Sequence, residues 1–499
     1  MTDVQNPPAV ERTAAAPTPV LDLVRRLCRV LDIQGIAYCH WKSNEALDRS
    51  ASGDNDLDLL VARRDVQRFT EMLCRLGFKE ARLPPKRERP SVLHYYGLDQ
   101  ASGRLVHVHA QYQLVIGDDT TKNCRLPIEE PYLASAVNGP LFRVPSVEFE
   151  LAVLVIRMIL KHATWDAIAC GRGRLSPSEQ RELADLTKRA DPERLAGVVR
   201  DHLPFVGEPL WQRCRAAVEP QTSALTRAVA AHRLMRALTV HLLRPDALDV
   251  MLRVWRRIVW GMRRHVLRRR TRKRLAGGGA VIAVVGGDGA GKSTVVENLS
   301  GWLAQALDVQ RIHLGKPPRS ITTLALKGSM AVGRRFGAFR ATRRPPWAGH
   351  DGFPGYPWLL WHLLTARDRR RAYGRARRFA ARGGIVVSDR YPLPRLRLMD
   401  GRRTGVVETL TAVGPLARIL AAHERRCYEH IREPDVLVVL RVDPDVAVAR
   451  ADEDPDFVRP RSQEVWYADW TGTRGHVVDA SRPRADVLAA VKAIVWSEL

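Results

Sequence analysis

The run Gly286-Gly287-Asp288-Gly289-Ala290-Gly291-Lys292-Ser293-Thr294 concentrates the residue types that hold phosphate. Its spacing is G-x-x-x-x-G-K-[ST], after a short β-branched stretch (Val281, Ile282, Val284, Val285) and before an apolar helical pattern. Strand, loop and helix in that order are the context this P-loop motif requires. Glycines let consecutive backbone N–H groups turn inward at a helix N-terminus, where the helix dipole also favours an anion. Lys292 then reaches the β- and γ-phosphates of a nucleoside triphosphate such as ATP, and Ser293 offers a hydroxyl to Mg2+. The alternative is a plain glycine turn. The spacing predicts a nucleotide site on Gly287, Asp288, Gly289, Ala290, Gly291, Lys292, Ser293 and Thr294.

A second group of chemistry-bearing residues lies at Asp389-Arg390-Tyr391, which closes the apolar run Ile385-Val386-Val387. An acid at the carboxyl end of a buried strand sits where α/β folds bind ligands. Asp389 can order the Mg2+ shell there, and Arg390 can clamp a transferring phosphoryl group. A third group is Asp56-Leu57-Asp58, beside the small residues Ser50-Ala51-Ser52-Gly53. On a strand, Asp56 and Asp58 share a face and can hold Mg2+ against a triphosphate. Substrate binding and a solvated acidic turn are the other readings. His107 and His109, two apart on another strand pattern, read either as metal ligands or as polar residues on one sheet face.

The elements that must position these groups follow from composition and periodicity. The chain has 499 residues, 45% of them hydrophobic, which predicts about two or three domains with real cores. Its net charge of +26 implies anionic partners without choosing among nucleotides, sugar phosphates, nucleic acid and lipid. Seven scattered cysteines, an odd number without a C-x-x-C pair, speak against a zinc site or a disulfide framework and for a reducing cytoplasm. No secretory signal is read at the N-terminus, and no apolar run approaches membrane-spanning length. The boundaries expected are a disordered tail over 1–19, an α+β domain over 20–145, a helical region over 146–251, a basic helix and glycine linker over 252–279, and an α/β domain over 280–499.

Within the helical region, Ser176-Pro177-Ser178-Glu179 reads as a capping box with proline at the first helical position. In 252–274, Trp255, Ile258, Val259, Met262 and Val266 share one helical face, and Arg253, Arg256, Arg257, Arg263, Arg264 and Arg268 crowd the rest. Two readings stand: a contact with an anionic membrane or nucleic acid, or an apolar stripe docked on a domain with solvated arginines. Ala276-Gly277-Gly278-Gly279 is expected to be a flexible joint.

Residues 280–499 resemble thymidylate kinase and its nucleoside-monophosphate kinase relatives. The likeness is carried by the P-loop, Asp389-Arg390-Tyr391, Arg369 on a long arginine-rich helix, Pro434-Asp435 through Arg450, and Asp479-Ala480. It implies a doubly wound parallel sheet with a mobile lid, and transfer of the γ-phosphoryl of MgATP to an acceptor such as dTMP. It also implies that Asp288, Arg369 and Tyr391 face the acceptor, and that Arg459 and Arg461 of the lid are catalytic, since Gly289 stands where some relatives carry arginine. Residues 313–361 do not align to the family's acceptor-binding motif, which leaves the acceptor open among thymidylate, another nucleotide and a phosphorylated or plain sugar; Arg334–Arg344 read either as lining that site or as a solvated basic loop. Residues 20–160 resemble the nucleotidyltransferase fold through Asp56-x-Asp58 and the Leu76-Gly77-Phe78 turn. There Trp41-Lys42-Ser43-Asn44 replaces the usual Gly-Ser loop, and His107 stands in place of a third carboxylate. The leading expectation is a cytoplasmic kinase, with a homodimer and a peripheral membrane contact as further expectations. A nucleotidyltransferase working through Asp56 and Asp58, and a nucleotide-gated scaffold on membrane or nucleic acid, are the alternatives.

Overall fold

The computed structural model describes residues 20–84, 88, 91–265, 272–335, 355–396, 398–410 and 413–499. The chain divides into two units, Met1–Glu80 with Pro84–Arg270 and Ala81–Leu83 with Thr271–Leu499.

The first unit is built on the strands β1 (Tyr38–His40), β2 (Leu57–Val61), β3 (Lys79–Arg82), β4 (Val92–Asp99) and β5 (Arg104–Gln111), hydrogen-bonded in the order β1-β2-β5-β4-β3. β2 runs parallel to β5 and antiparallel to β1, and β4 and β5 form an antiparallel hairpin. Alternation along β2 divides its side chains between two cores. Leu57, Leu59 and Val61 pack with Val24, Leu27 and Leu31 of the helix Asp22–Ile33 and with Phe69 and Leu73 of the helix Val66–Arg75. Leu60 faces the other way, into a cluster with Trp41, Leu154 and Val155. Two short ribbons, β6 (Leu114–Ile116) with β7 (Cys124–Leu126) and β8 (Val137–Asn138) with β9 (Arg143–Val144), are the other strands among the described residues of this unit.

That second cluster joins the helical region to the strands. The helix Val147–His162 is buried over most of its length, as expected of a core helix, and Ser146 caps it by accepting the Phe149 N–H. The capping box at Ser176 is present in full, with both reciprocal bonds to Glu179. Residues 20–145 and 146–251 therefore share buried contacts within one unit.

The basic helix departs from expectation. It spans Asp246–His265, and its arginines, not its apolar residues, face inward. Arg253 is buried against Asp166 (3.3 Å) and Asp249 (3.6 Å), and Arg257 reaches Asp118 at 2.6 Å and Asp166 at 3.1 Å. Arg256 donates to the Thr120 carbonyl at 2.7 Å. Trp255, Ile258 and Met262 are exposed. The docked apolar stripe with solvated arginines is thus reversed, because buried carboxylates elsewhere in the unit demand cationic partners. The side chains of Arg263, Arg264, Val266 and Arg268 lie outside the described residues.

The second unit opens with the short strand β10 (Arg274–Leu275) and holds a fully parallel sheet of β11 (Val281–Gly286), β12 (Val309–His313), β13 (Ile385–Asp389), β14 (Val436–Arg441) and β15 (Gly475–Asp479). The order is β12-β13-β11-β14-β15. β11 is buried along its whole length, as a parallel strand covered on both faces should be. One face packs on Ala372, Tyr373 and Ala376 of the helix Tyr356–Ala380. The expected flexible joint before β11 is held instead: the Gly279 N–H donates to the Ala380 carbonyl at 2.8 Å, and a Cβ there would stand 1.8 Å from the Gly384 oxygen. Glycine is needed at that position for close approach, not for flexibility.

Candidate functional site

β11 runs through the middle of its sheet and delivers the glycine loop to the carboxyl end, between β13 and β14. The loop leads directly into the helix Lys292–Leu303. Gly289 has φ +81°, and a Cβ there would lie 2.2 Å from the Ala447 carbonyl oxygen, so both backbone conformation and space call for glycine.

Parallel pairing of β11 with β13 places Asp389 opposite Val284, just behind the loop. The Ser293 hydroxyl donates to Asp389 Oδ2 at 3.4 Å, while Asp389 Oδ1 is buried without a hydrogen-bond partner. Serine and aspartate therefore converge as two oxygen ligands suited to a hard cation such as Mg2+. Lys292 Nζ donates to the Gly287 carbonyl at 2.7 Å and approaches Asp288 Oδ1 at 3.3 Å. Burial pushes the Lys292 ammonium below its ordinary value, opposed by Asp288 and reinforced by Arg390. A phosphate chain would supply the negative charge that such a buried ammonium requires.

Arg390 follows Asp389 with φ +59°, a left-handed conformation uncommon outside glycine and asparagine. The bend turns its guanidinium onto Asp288 Oδ1 at 3.1 Å. Arg461 Nε stands 3.9 Å from Asp288 Oδ2, with the guanidinium stacked 3.4 Å from the Phe457 ring centre. Asp288 is thus ringed by Lys292, Arg390 and Arg461. The proposed lid residues lie on the helix Pro455–Tyr467, capped by Asp454. Arg459 on the same helix is exposed and paired with Asp445.

Two residues expected at the acceptor are oriented otherwise. Arg369 is buried, donating to the carbonyls of Leu314 (2.6 Å) and Gly315 (3.1 Å) and to the Tyr428 hydroxyl. It fixes the turn after β12 and leaves little of its guanidinium for a phosphate. Tyr391 is also buried, and its hydroxyl donates to the Arg432 carbonyl at 2.5 Å. Most of Arg334–Arg344 lies outside the described residues.

In the first unit, Asp56 and Asp58 are held by cations and imidazoles. His107 Nδ1 is 2.6 Å from Asp56 Oδ1, and His109 Nδ1 is 3.2 Å from Asp58 Oδ1 and 3.4 Å from Asp56 Oδ2. Lys42 Nζ reaches Asp58 Oδ1 at 3.0 Å. Burial raises the Asp58 carboxyl, but Lys42 and His109 outweigh it and hold the group well below the usual carboxylate range. Asp58 is not part of a solvated turn. Beside it opens a cleft of about 850 Å³, lined by Trp41, Lys42, Arg157, Lys161, Glu179 and Glu182 among others. Sequence reading missed Arg157, Lys161, Glu182 and His94, and read Glu179 only as part of a capping box, because no local spacing links positions so far apart. In the sequence, Trp41-Lys42-Ser43-Asn44 stands out only as a departure from the expected loop, and the helical region from 146 reads as either a wall of this domain's substrate cleft or a spacer.

No protein-family model matches the sequence. The chain is 29% identical over 224 residues to the protein named "Uncharacterized ATP-binding protein YghR" of Escherichia coli K12. The counterpart in Escherichia coli O6:H1 (strain CFT073) matches to the same extent. The likeness covers 42% of this chain and 83% of each relative.

Proposed function

We propose that the second unit is an ATP-dependent phosphotransferase with a P-loop kinase fold. It moves the γ-phosphoryl of MgATP to a small acceptor, a nucleoside monophosphate such as dTMP or a related molecule. The observation that carries this reading is the convergence of Lys292, Ser293 and Asp389 at the carboxyl end of β11 and β13. A parallel sheet with the loop-bearing strand at its centre supports it, as does a relative named as ATP-binding.

The glycine loop wraps the phosphate chain, and Lys292 neutralises the β- and γ-oxygens. Ser293 and Asp389 would hold Mg2+, which would supply positive charge against the phosphate chain. Arg390 and Arg461 meet the charge that builds on the phosphoryl group as it leaves ADP for the acceptor oxygen. Asp288, at the centre of these cations, orients the acceptor. Arg369 acts as a positioning residue through the turn at Leu314 and Gly315.

The test is transfer of label from γ-labelled ATP across a panel of nucleoside monophosphates and sugars. Labelled product is expected with wild type and lost in Lys292→Ala. Release of free phosphate alone, whatever the acceptor, would overturn the transferase reading.

A further inference from the structure

We infer that the first unit carries a binding site for a zinc-class divalent transition-metal ion on His94, His107 and His109. This site is independent of the phosphotransferase reading. Side-chain alternation projects His107 and His109 to one face of β5, and the hairpin register sets His94 of β4 directly opposite His109. On the other side, β2 sets Asp58 directly beside His109. Asp58, His109 and His94 therefore form a row across three adjacent strands.

One potential ligand atom from each histidine lies within 4.8 Å of the others. His94 Nδ1 and His107 Nε2 are 3.3 Å apart. Two imidazole nitrogens bound to one tetrahedral zinc at about 2.0–2.1 Å would be separated by about 3.3 Å.

The carboxylates take the supporting position. Asp56 receives the Nδ1–H of His107, and Asp58 that of His109, which leaves Nε2 as the ligating nitrogen of each, that of His107 standing toward His94. A ligating histidine whose other nitrogen donates to a carboxylate is the usual orienting arrangement at a metal centre. The Tyr96 ring lies flat on His107, with centres 4.2 Å apart and planes within 8°, and holds the imidazole plane. Imidazole suits zinc, nickel, copper and cobalt, whereas Mg2+ prefers oxygen donors. Three protein ligands leave a fourth position for water or an anion. Lys42, which lines the neighbouring cleft, bonds the same Asp58 that supports His109.

The full-length chain, stripped with chelator and dialysed against Zn2+ in excess Mg2+, tests the site by elemental analysis. A single tightly held zinc per chain is expected, with a Co2+-substituted form showing a four-coordinate visible spectrum. His107→Ala with His109→Ala should abolish retention, and Asp56→Asn should weaken it about 10- to 100-fold. The milder pair His107→Asn and His109→Gln repeats the test with packing preserved, and an unchanged circular-dichroism spectrum and melting profile report that the chain is folded. Lys292→Ala should lose phosphoryl transfer yet keep its zinc. Wild type without zinc, or folded histidine variants that keep it, would overturn the inference.

Discussion

Asp389 and Asp58 are both acids on central strands of a sheet, yet their surroundings dictate different chemistry. Asp389 has a serine hydroxyl on one oxygen and no hydrogen-bond partner on the other, beside a glycine loop and a buried lysine. Asp58 is bonded by Lys42 and His109, with its neighbour Asp56 bonded by His107. An under-satisfied carboxylate beside a hydroxyl is a place for a hard cation and its phosphates. A carboxylate already committed to imidazoles supports ligands instead of acting as one. The same residue type at similar positions thus predicts magnesium in one unit and a softer metal in the other.

The comparison breaks most visibly at Lys292. Lys292→Ala is expected to lower MgATP turnover by about a thousandfold, while Asp58→Asn leaves it unchanged, as steady-state kinetics on purified protein would show. If both substitutions cost the same, the two acids would not serve separate chemistries. Asp389→Asn should lower turnover about a hundredfold and raise the Mg2+ concentration needed for half-maximal rate. Arg461→Ala should cost about tenfold to a hundredfold in kcat with little change in KM for ATP, if its charge acts in the transition state.

The smallest effect concerns stability. Burial pushes the Glu150 carboxyl up to about 7, opposed by the hydrogen bond from Asn44. The unfolded chain gives up this proton first, near its ordinary value of 4.5. Stability should therefore fall as pH rises from there to about 7, then level off. The total is about 3 kcal/mol. Glu150→Gln should flatten that slope in pH-dependent melting, without altering phosphoryl transfer.

The glycine loop was legible because its chemistry is local: strand, loop and helix are contiguous, and the spacing alone imposes the geometry. Asp389 was legible as the acid that ends an apolar run. Arg369 and Tyr391 were not, because the carbonyls that capture them, of Leu314, Gly315 and Arg432, reach them only after folding. The helix Asp246–His265 shows the limit most clearly. Periodicity sorts its residues into faces but does not say which face is buried. Asp118 and Asp166, far away in sequence, decide that in favour of Arg253 and Arg257. His94 joined His107 and His109 through a hairpin register that no spacing rule reveals.

The central claim is that Lys292, Ser293 and Asp389 together grip a magnesium-bound triphosphate. Calorimetric titration of the full chain with a non-hydrolysable ATP analogue, with and without Mg2+, tests it most directly. Magnesium-dependent binding in wild type, lost in Lys292→Ala and shifted to higher Mg2+ concentration in Asp389→Asn, is the predicted result. Absence of binding in wild type, or equal binding in all three proteins, would contradict it.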